Sequence, residues 1–150
     1  MSDAPDSAKP RYVHRMPVRV RYPEADPMGR LHHSVFMVYF EMGRTEYLRQ
    51  RGIAYADMER SGQFVGIVSA AVRYRAAAKY DEQLVVETWV KEIRGARIFF
   101  GNRVVRPGKP LDTVIAEATI CGALLGADGR PHRFPEEAAA LMLGPPKAGA

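Results

Sequence analysis

Apolar and charged residues alternate along Pro17-Val18-Arg19-Val20-Arg21-Tyr22, the two-residue period of a half-buried strand. Beyond a turn-rich stretch the period lengthens. Phe36, Tyr39, Phe40, Gly43 and Tyr47 follow three- and four-residue spacing, and Val35, Val38 and Met42 form a second apolar row beside them. The pattern predicts a helix from Ser34 to Arg51, about 27 Å long at 1.5 Å per residue, buried on more than one side. Ser34 is placed to cap its start by accepting a bond from an unpaired amide, and Gly52 to end it. Gly43 costs about 1 kcal/mol of helix propensity relative to alanine, so its presence points to a close approach by another backbone. Glu41, Arg44, Glu46, Arg49, Gln50 and Arg51 supply the polar side, with Glu41 and Arg44 spaced as a paired patch.

After the helix the chain returns to strand character. Phe64 to Tyr74, Leu84 to Ile93, Arg97 to Arg106 and Thr113 to Leu125 are rich in β-branched and aromatic residues. Arg94-Gly95-Ala96 and Pro107-Gly108-Lys109-Pro110 read as the turns of two hairpins. The predicted order β-α-β-β-β-β is an α+β fold, an antiparallel sheet of about five strands with one long helix covering a face. Residues 17–135 form one domain on this reading. Residues 1–16 are expected as a disordered or extended arm, because they are polar, carry Pro5 and Pro10 and lack the apolar stretch of a secretory signal. Residues 136–150 are expected as a tail.

Hydrophobic residues make up 47% of the chain, enough for one core, yet no apolar run approaches the ~20 residues needed to cross a membrane. The single cysteine, Cys121, rules out an internal disulfide and favours a reducing, cytoplasmic setting; in its alternating strand it is expected as a small packed residue. The 22 Lys and Arg exceed the 17 Asp and Glu, but no basic run with interleaved aromatics and no recognition-helix motif accompanies them, so nucleic acid is not the expected partner. A phosphorylated small molecule suits the charge better. Arg73, Arg75, Lys79, Arg94, Arg97 and Arg103 are its candidate contacts, each also readable as a solvated strand residue.

The chemistry concentrates between the first strand and the helix. Tyr22-Pro23-Glu24-Ala25-Asp26-Pro27-Met28-Gly29-Arg30-Leu31-His32-His33-Ser34 brings a carboxylate, a glycine turn and a histidine to the positive end of a helix, where free backbone amides favour an anion. Spacing alone also fits an ordinary turn around Asp26-Pro27, with Glu24 solvated and His32 and His33 structural. The loop motif E-x-D-x-x-G-x-x-x-H followed by F-x-x-Y-F-E-x-x-R-T-E-x-L on the helix resembles the hotdog-fold acyl-CoA thioesterases of the 4-hydroxybenzoyl-CoA thioesterase type, with the small Tol–Pal-associated bacterial acyl-CoA thioesterases as the nearest likeness. The likeness runs from Val18 to Pro135 and takes in Val72-x-Tyr74, Tyr80-Asp81 and Arg94-Gly95.

That resemblance implies hydrolysis of an acyl-CoA to a carboxylic acid and coenzyme A, with Asp26 and His33 at the catalytic positions. Asp26 would act as nucleophile or as general base on water, two roles the sequence leaves open. His33 would orient the water, touch the substrate or contribute only its amide. Gly29, His32 and Ser34 are the candidate substrate contacts. No metal or organic cofactor is implied. The implied partners are acyl-CoA, or an acyl group on acyl carrier protein, and further copies of the chain in a homodimer or homotetramer. The alternatives are a non-catalytic acyl-CoA-binding hotdog module and a hotdog hydratase or dehydratase. Three positions depart from the family pattern: Glu24-Ala25-Asp26 stands where Asp-Thr-Asp is usual, His32 where an aromatic is common, and Ala77 where a proline is frequent.

Overall fold

The computed structural model describes residues 10–150. Five strands, β1 (His14–Arg19), β2 (Phe64–Tyr74), β3 (Gln83–Arg94), β4 (Arg97–Arg106) and β5 (Thr113–Leu125), form one antiparallel sheet in the order β1-β3-β4-β5-β2. Helix α1 (Val35–Arg49) lies against β3, β1 and β4. Two shorter helices, α2 (Tyr55–Arg60) and α3 (Glu136–Leu143), were not expected from the apolar pattern; each is under three turns and too short to show a period.

The last four strands sit where β-branched runs and turn residues put them. Gly95, at φ +61°, turns β3 into β4, and Cys121 is packed within β5 as expected. The first strand differs. Pairing with β3 begins at His14, opposite Thr88, and ends one hydrogen bond beyond Arg19, where Val20 N–H donates to Glu82 O at 3.0 Å. Tyr22, expected in the strand, starts a single 3-10 turn instead, because Pro23 restricts φ and the Glu24 side chain captures the Arg21 amide. The arm expected over residues 1–16 is therefore strand from His14; residues 1–9 lie outside the described residues.

α1 buries the first apolar row, Phe36, Tyr39, Phe40, Gly43 and Tyr47, and Leu48 as well. The second row is not covered within one chain: Val38 is 49% exposed and Met42 43%. Gly43 marks a close approach, as expected, but to side chains of β3. A Cβ there would stand 2.4 Å from Thr88 Oγ1 and 3.0 Å from Val86 Cγ1, which only glycine avoids.

The core has two adjoining parts. Around the first half of α1, Phe36, Tyr39 and Phe40 pack with Val18, Val20, Leu84, Val86 and Ile120. Around its second half, Tyr47 and Leu48 pack with Ile98, Phe100, Leu124, Phe134 and Met142. Met142 belongs to α3, so the stretch expected as a tail contributes to the core. The Tyr47 hydroxyl donates to Met142 O at 2.8 Å. Arg51, read as a polar-side residue, is 2% exposed; its guanidinium donates to Tyr47 O at 2.9 Å and Gly144 O at 3.0 Å, tying the end of α1 to the end of α3. No helix among the described residues is long and apolar enough to cross a membrane.

Candidate active site

The residues that carry the loop motif are held together by a small hairpin between β1 and α1. Ala25 bridges Leu31, His32 N–H donates to Glu24 O at 2.9 Å and Asp26 N–H to Arg30 O at 2.8 Å. Gly29 makes the reversal possible, with φ at +73° and its N–H on Asp26 O at 2.9 Å. The hairpin is pinned to the segment before β3 by Leu31 N–H on Ala78 O at 2.8 Å and by the Arg30–Lys79 bridge, and Leu31 is buried beneath it.

Asp26 stands at the start of this reversal, half-buried. Its Oδ1 accepts from Met28 N–H at 2.8 Å and from Arg30 N–H at 3.0 Å. Both bonds fall on one oxygen. The carboxylate is thereby held in a fixed orientation while Oδ2 is left for other work, such as attack or acceptance of a proton.

Glu24 corrects the expectation of a solvated turn residue. It is 6% exposed, and its Oε2 accepts from the Tyr39 hydroxyl at 2.6 Å and from Arg21 N–H at 2.8 Å, while the Arg21 guanidinium lies on Oε1 at 2.8 Å. Burial pushes its carboxyl up, but the Tyr39 hydroxyl and the amide and guanidinium of Arg21 outweigh burial and hold it below the usual carboxylate range. Burial and the nearby Glu24 charge push the Tyr39 hydroxyl the other way, well above its ordinary value. The pair joins the loop to the second turn of α1. The signal that reveals it in the sequence is Tyr39 itself, a hydroxyl on the buried face of a helix that requires a partner.

At the helix start, Ser34 takes the expected position but not the expected bond. Its backbone is already helical, at φ −69° and ψ −25°, and its hydroxyl and its N–H both meet His32 Nδ1, at 2.7 and 3.2 Å. The ring nitrogen that takes the Ser34 N–H is an acceptor, so the proton of a neutral His32 lies on Nε2. His32 stacks on His33 with ring centres 4.2 Å apart. The exposed His33 ring meets Tyr74 edge-on, and the Tyr74 hydroxyl donates to His33 O at 3.1 Å, which fixes the His33 peptide. Among the described residues the His33 N–H has no acceptor. Tyr74, from β2, enters the site through the fold and has no spacing relation to the loop.

The pairing expected for Glu41 and Arg44 is not made: among the described residues Arg44 has no carboxylate within 4 Å. Of the basic candidates, Arg75 pairs with Glu117, Arg94 with Glu92 and Arg103 with Glu87. Lys79 is carried to the loop by its bridge to Arg30. Tyr22 and Tyr80 meet edge-on at 5.6 Å beside it, and both are exposed. No group of three or more His, Cys, Asp or Glu positioned to hold a metal occurs among the described residues.

The chain is similar to known proteins over most of its length. A model described as the thioesterase superfamily matches residues 28–113, a span that begins just after Asp26 and includes His33. The Haemophilus influenzae protein named acyl-CoA thioesterase YbgC is 35% identical over 128 residues, covering 84% of this chain and 91% of the relative. The crystal structure of a hypothetical protein from Thermus thermophilus superposes with a TM-score of 0.79 at 31% identity, covering 85% of this chain and 95% of that one. A crystal structure of a 4-hydroxybenzoyl-CoA thioesterase mutant bound to 4-hydroxybenzoyl-CoA also superposes at 0.79, over 87% of this chain and 98% of that one; at 20% identity it speaks for the shared hotdog fold alone.

Because the folded carboxyl of Glu24 is held below its unfolded value of about 4.3, its stabilising contribution is complete above that pH and is lost as pH falls through the depressed folded value. Glu24→Gln is expected to lower stability at pH 7 by about 1–3 kcal/mol, through loss of charge-assisted bonds, and to make the acid side of the stability curve shallower than in the parent. Urea unfolding from pH 7 to pH 3 measures both. Identical curves for the two proteins would refute the anchoring role.

Proposed function

The chain belongs to the thioesterase superfamily, and from that premise we propose that it hydrolyses an acyl-CoA thioester to a carboxylic acid and free coenzyme A through Asp26. The observation that carries the reading is the Asp26 carboxylate, fixed by two amides on Oδ1 at the turn that leads into α1, together with the unpaired His33 N–H at the helix start. The first supplies a nucleophile, or a base for water. The second supplies a donor where the thioester oxygen gathers negative charge, and one such preorganised donor is worth about 2.7–4 kcal/mol in the transition state.

The steps follow from the chemistry of a thioester. Either Oδ2 attacks the carbonyl carbon and expels coenzyme A thiolate, leaving a mixed anhydride for water to open, or Oδ2 takes a proton from the water that attacks. In both, the oxyanion rests against the amide at the start of α1, where the partial positive charge of the helix adds to the donor. The His33 ring, edge-on to Tyr74, sits at the rim, where Gly29, His32 and Ser34 complete the candidate contact surface for substrate. The thiolate is a fair leaving group, so the reaction draws on no cofactor beyond the coenzyme A of the substrate. Lys79, beside the loop, is the candidate cation for its phosphates. Acyl carrier protein is the alternative carrier of the acyl group, and the cytoplasm the setting in which the lone thiol of Cys121 stays reduced.

The same reading includes assembly. In one chain the Asp26 turn is open, with Pro27, Met28, Gly29 and Arg30 exposed. β2 is an edge strand, bonded to β5 on one side; its Ile67 and Val68, and Val38 and Met42 of α1, are each 43–51% exposed. Edge strands with apolar faces are paired or protected in stable proteins. A homodimer, or a tetramer of two dimers, covers these surfaces and closes the site.

Asp26→Asn is expected to reduce kcat by at least ~10²-fold across a panel of acyl-CoAs while leaving their binding nearly intact, because the amide keeps the volume but neither attacks nor accepts the proton. His33→Ala is expected to lose less, since it keeps the amide. Released thiol reports turnover; an Asp26→Asn rate within a few-fold of the parent would refute the assignment.

For assembly, sedimentation and activity measured together over a dilution series are expected to fall in parallel. A fully active monomer would contradict the shared site.

A further inference from the structure

A second feature lies along the other half of α1, where the expected Glu41–Arg44 pair is absent. Arg44 opens onto a cavity of about 210 Å³ between α1, α2, α3, β2 and β4, walled by Leu48, Val65, Ile98, Phe100 and Met142. Its Nη1 is buried and has no hydrogen-bond partner among the described residues. The nearest compensation is the face of Phe100, 5.9 Å from the guanidinium carbon. Glu41 and Thr45 line the same cavity, Glu41 exposed to solvent, and the Tyr55 hydroxyl in its wall is engaged: it donates to Val65 O and accepts from Val65 N–H, both at 2.8 Å. Burial lowers the pKa of Arg44, with the Glu41 charge offsetting this in part.

A guanidinium nitrogen buried beside apolar walls without a partner is costly, and water in the cavity recovers only part of that cost. The arrangement has the parts of a recognition site: hydrocarbon surface, plus a planar cation whose donor fork matches a carboxylate. Phosphate would satisfy the charge but would leave the apolar walls without a partner. The volume falls below the roughly 300–1,000 Å³ of pockets for drug-sized ligands, so the occupant is small.

We propose that the cavity beside Arg44 binds a carboxylate carried on a short aliphatic or aromatic body, with the acid group on the Arg44 guanidinium and the body against Leu48, Ile98 and Phe100. Two sources supply this chemistry: a free carboxylic acid, and the distal carboxylate of a dicarboxylic acyl group still joined to its carrier. The second source rests on the thioesterase reading; the first does not.

The test is titration of the intact protein with hexanoate and with hexanamide, followed by calorimetry and by amide NMR. Hexanoate is expected to bind the parent at least tenfold more tightly than hexanamide, shifting the amides of Leu48, Tyr55 and Val65. Arg44→Gln is expected to weaken hexanoate at least tenfold, Arg44→Lys to recover part of the loss, and Asp26→Asn, whatever its turnover, to keep the parent's hexanoate affinity. Removing a half-buried cation with an unpaired nitrogen should leave Arg44→Gln folded, and circular dichroism checks this; the NMR shifts in the parent stand without any variant. Equal hexanoate affinity in parent and Arg44→Gln, no binding to the parent, or binding lost with Asp26→Asn and kept with Arg44→Gln would each overturn the proposal.

Kinetics then separate the sources. If the distal carboxylate is the ligand, Arg44→Gln raises KM for adipoyl-CoA at least tenfold more than for hexanoyl-CoA; if the free acid is, the two KM values keep their ratio and hexanoate binding alone is lost. Failure of the parent to hydrolyse any acyl-CoA would refute the thioesterase reading and leave the hexanoate titration as the test of the cavity.

Discussion

The site depends on one buried charge. A carboxylate that is 6% exposed has to be met on several sides, and Glu24 is met by a hydroxyl from α1 and by the amide and guanidinium of Arg21 at the exit of β1. These contacts fix three things at once: where the strand ends, where the helix lies, and how the hairpin between them is oriented. Asp26 follows two residues later with its own carboxylate held by two amides, so its position is inherited from the Glu24 anchor. A polar cluster of this kind contributes little net stability for its number of bonds, but it disfavours arrangements that would leave any member unpaired. The loop between β1 and α1 is accordingly held by hydrogen bonds at both carboxylates.

α1 divides the molecule's work by face and by length. Phe36, Tyr39 and Phe40 anchor it to β1 and β3, and Gly43 lets it settle against Thr88. Just before its first turn stands the His33 peptide, whose carbonyl accepts from the Tyr74 hydroxyl of β2. Its second half overlies a different part of the core, where Arg44 borders the cavity and Arg51 holds the end of α3. The row at Val38 and Met42 stays exposed on α1, an apolar helix face that one chain does not cover.

Much of this is legible in the sequence, and what is not has identifiable causes. Strands β2 to β5 declare themselves because β-branched runs end at Gly95 and at the Pro107–Pro110 turn. Asp26, Gly29 and His33 stand in one loop because the motif is local. The register of β1, the burial of Glu24 and the role of Tyr74 depend on partners 15 or more residues away, which no spacing rule reaches. Charged residues mislead most: Glu24 and Arg51 read as solvated, and both are buried because their polar atoms find partners that sequence does not show. α3 is short and was hidden by an ordinary-looking tail, yet its Met142 completes the core.

The central claim is that substrate meets the chain at the Asp26 turn and the start of α1. Amide NMR during titration with a non-hydrolysable thioether analogue of an acyl-CoA tests it most directly. The account predicts that the His33 amide, unpaired in the free protein, undergoes one of the largest shifts, accompanied by Met28, Gly29 and Arg30. Saturable binding that leaves these four amides unmoved would contradict it.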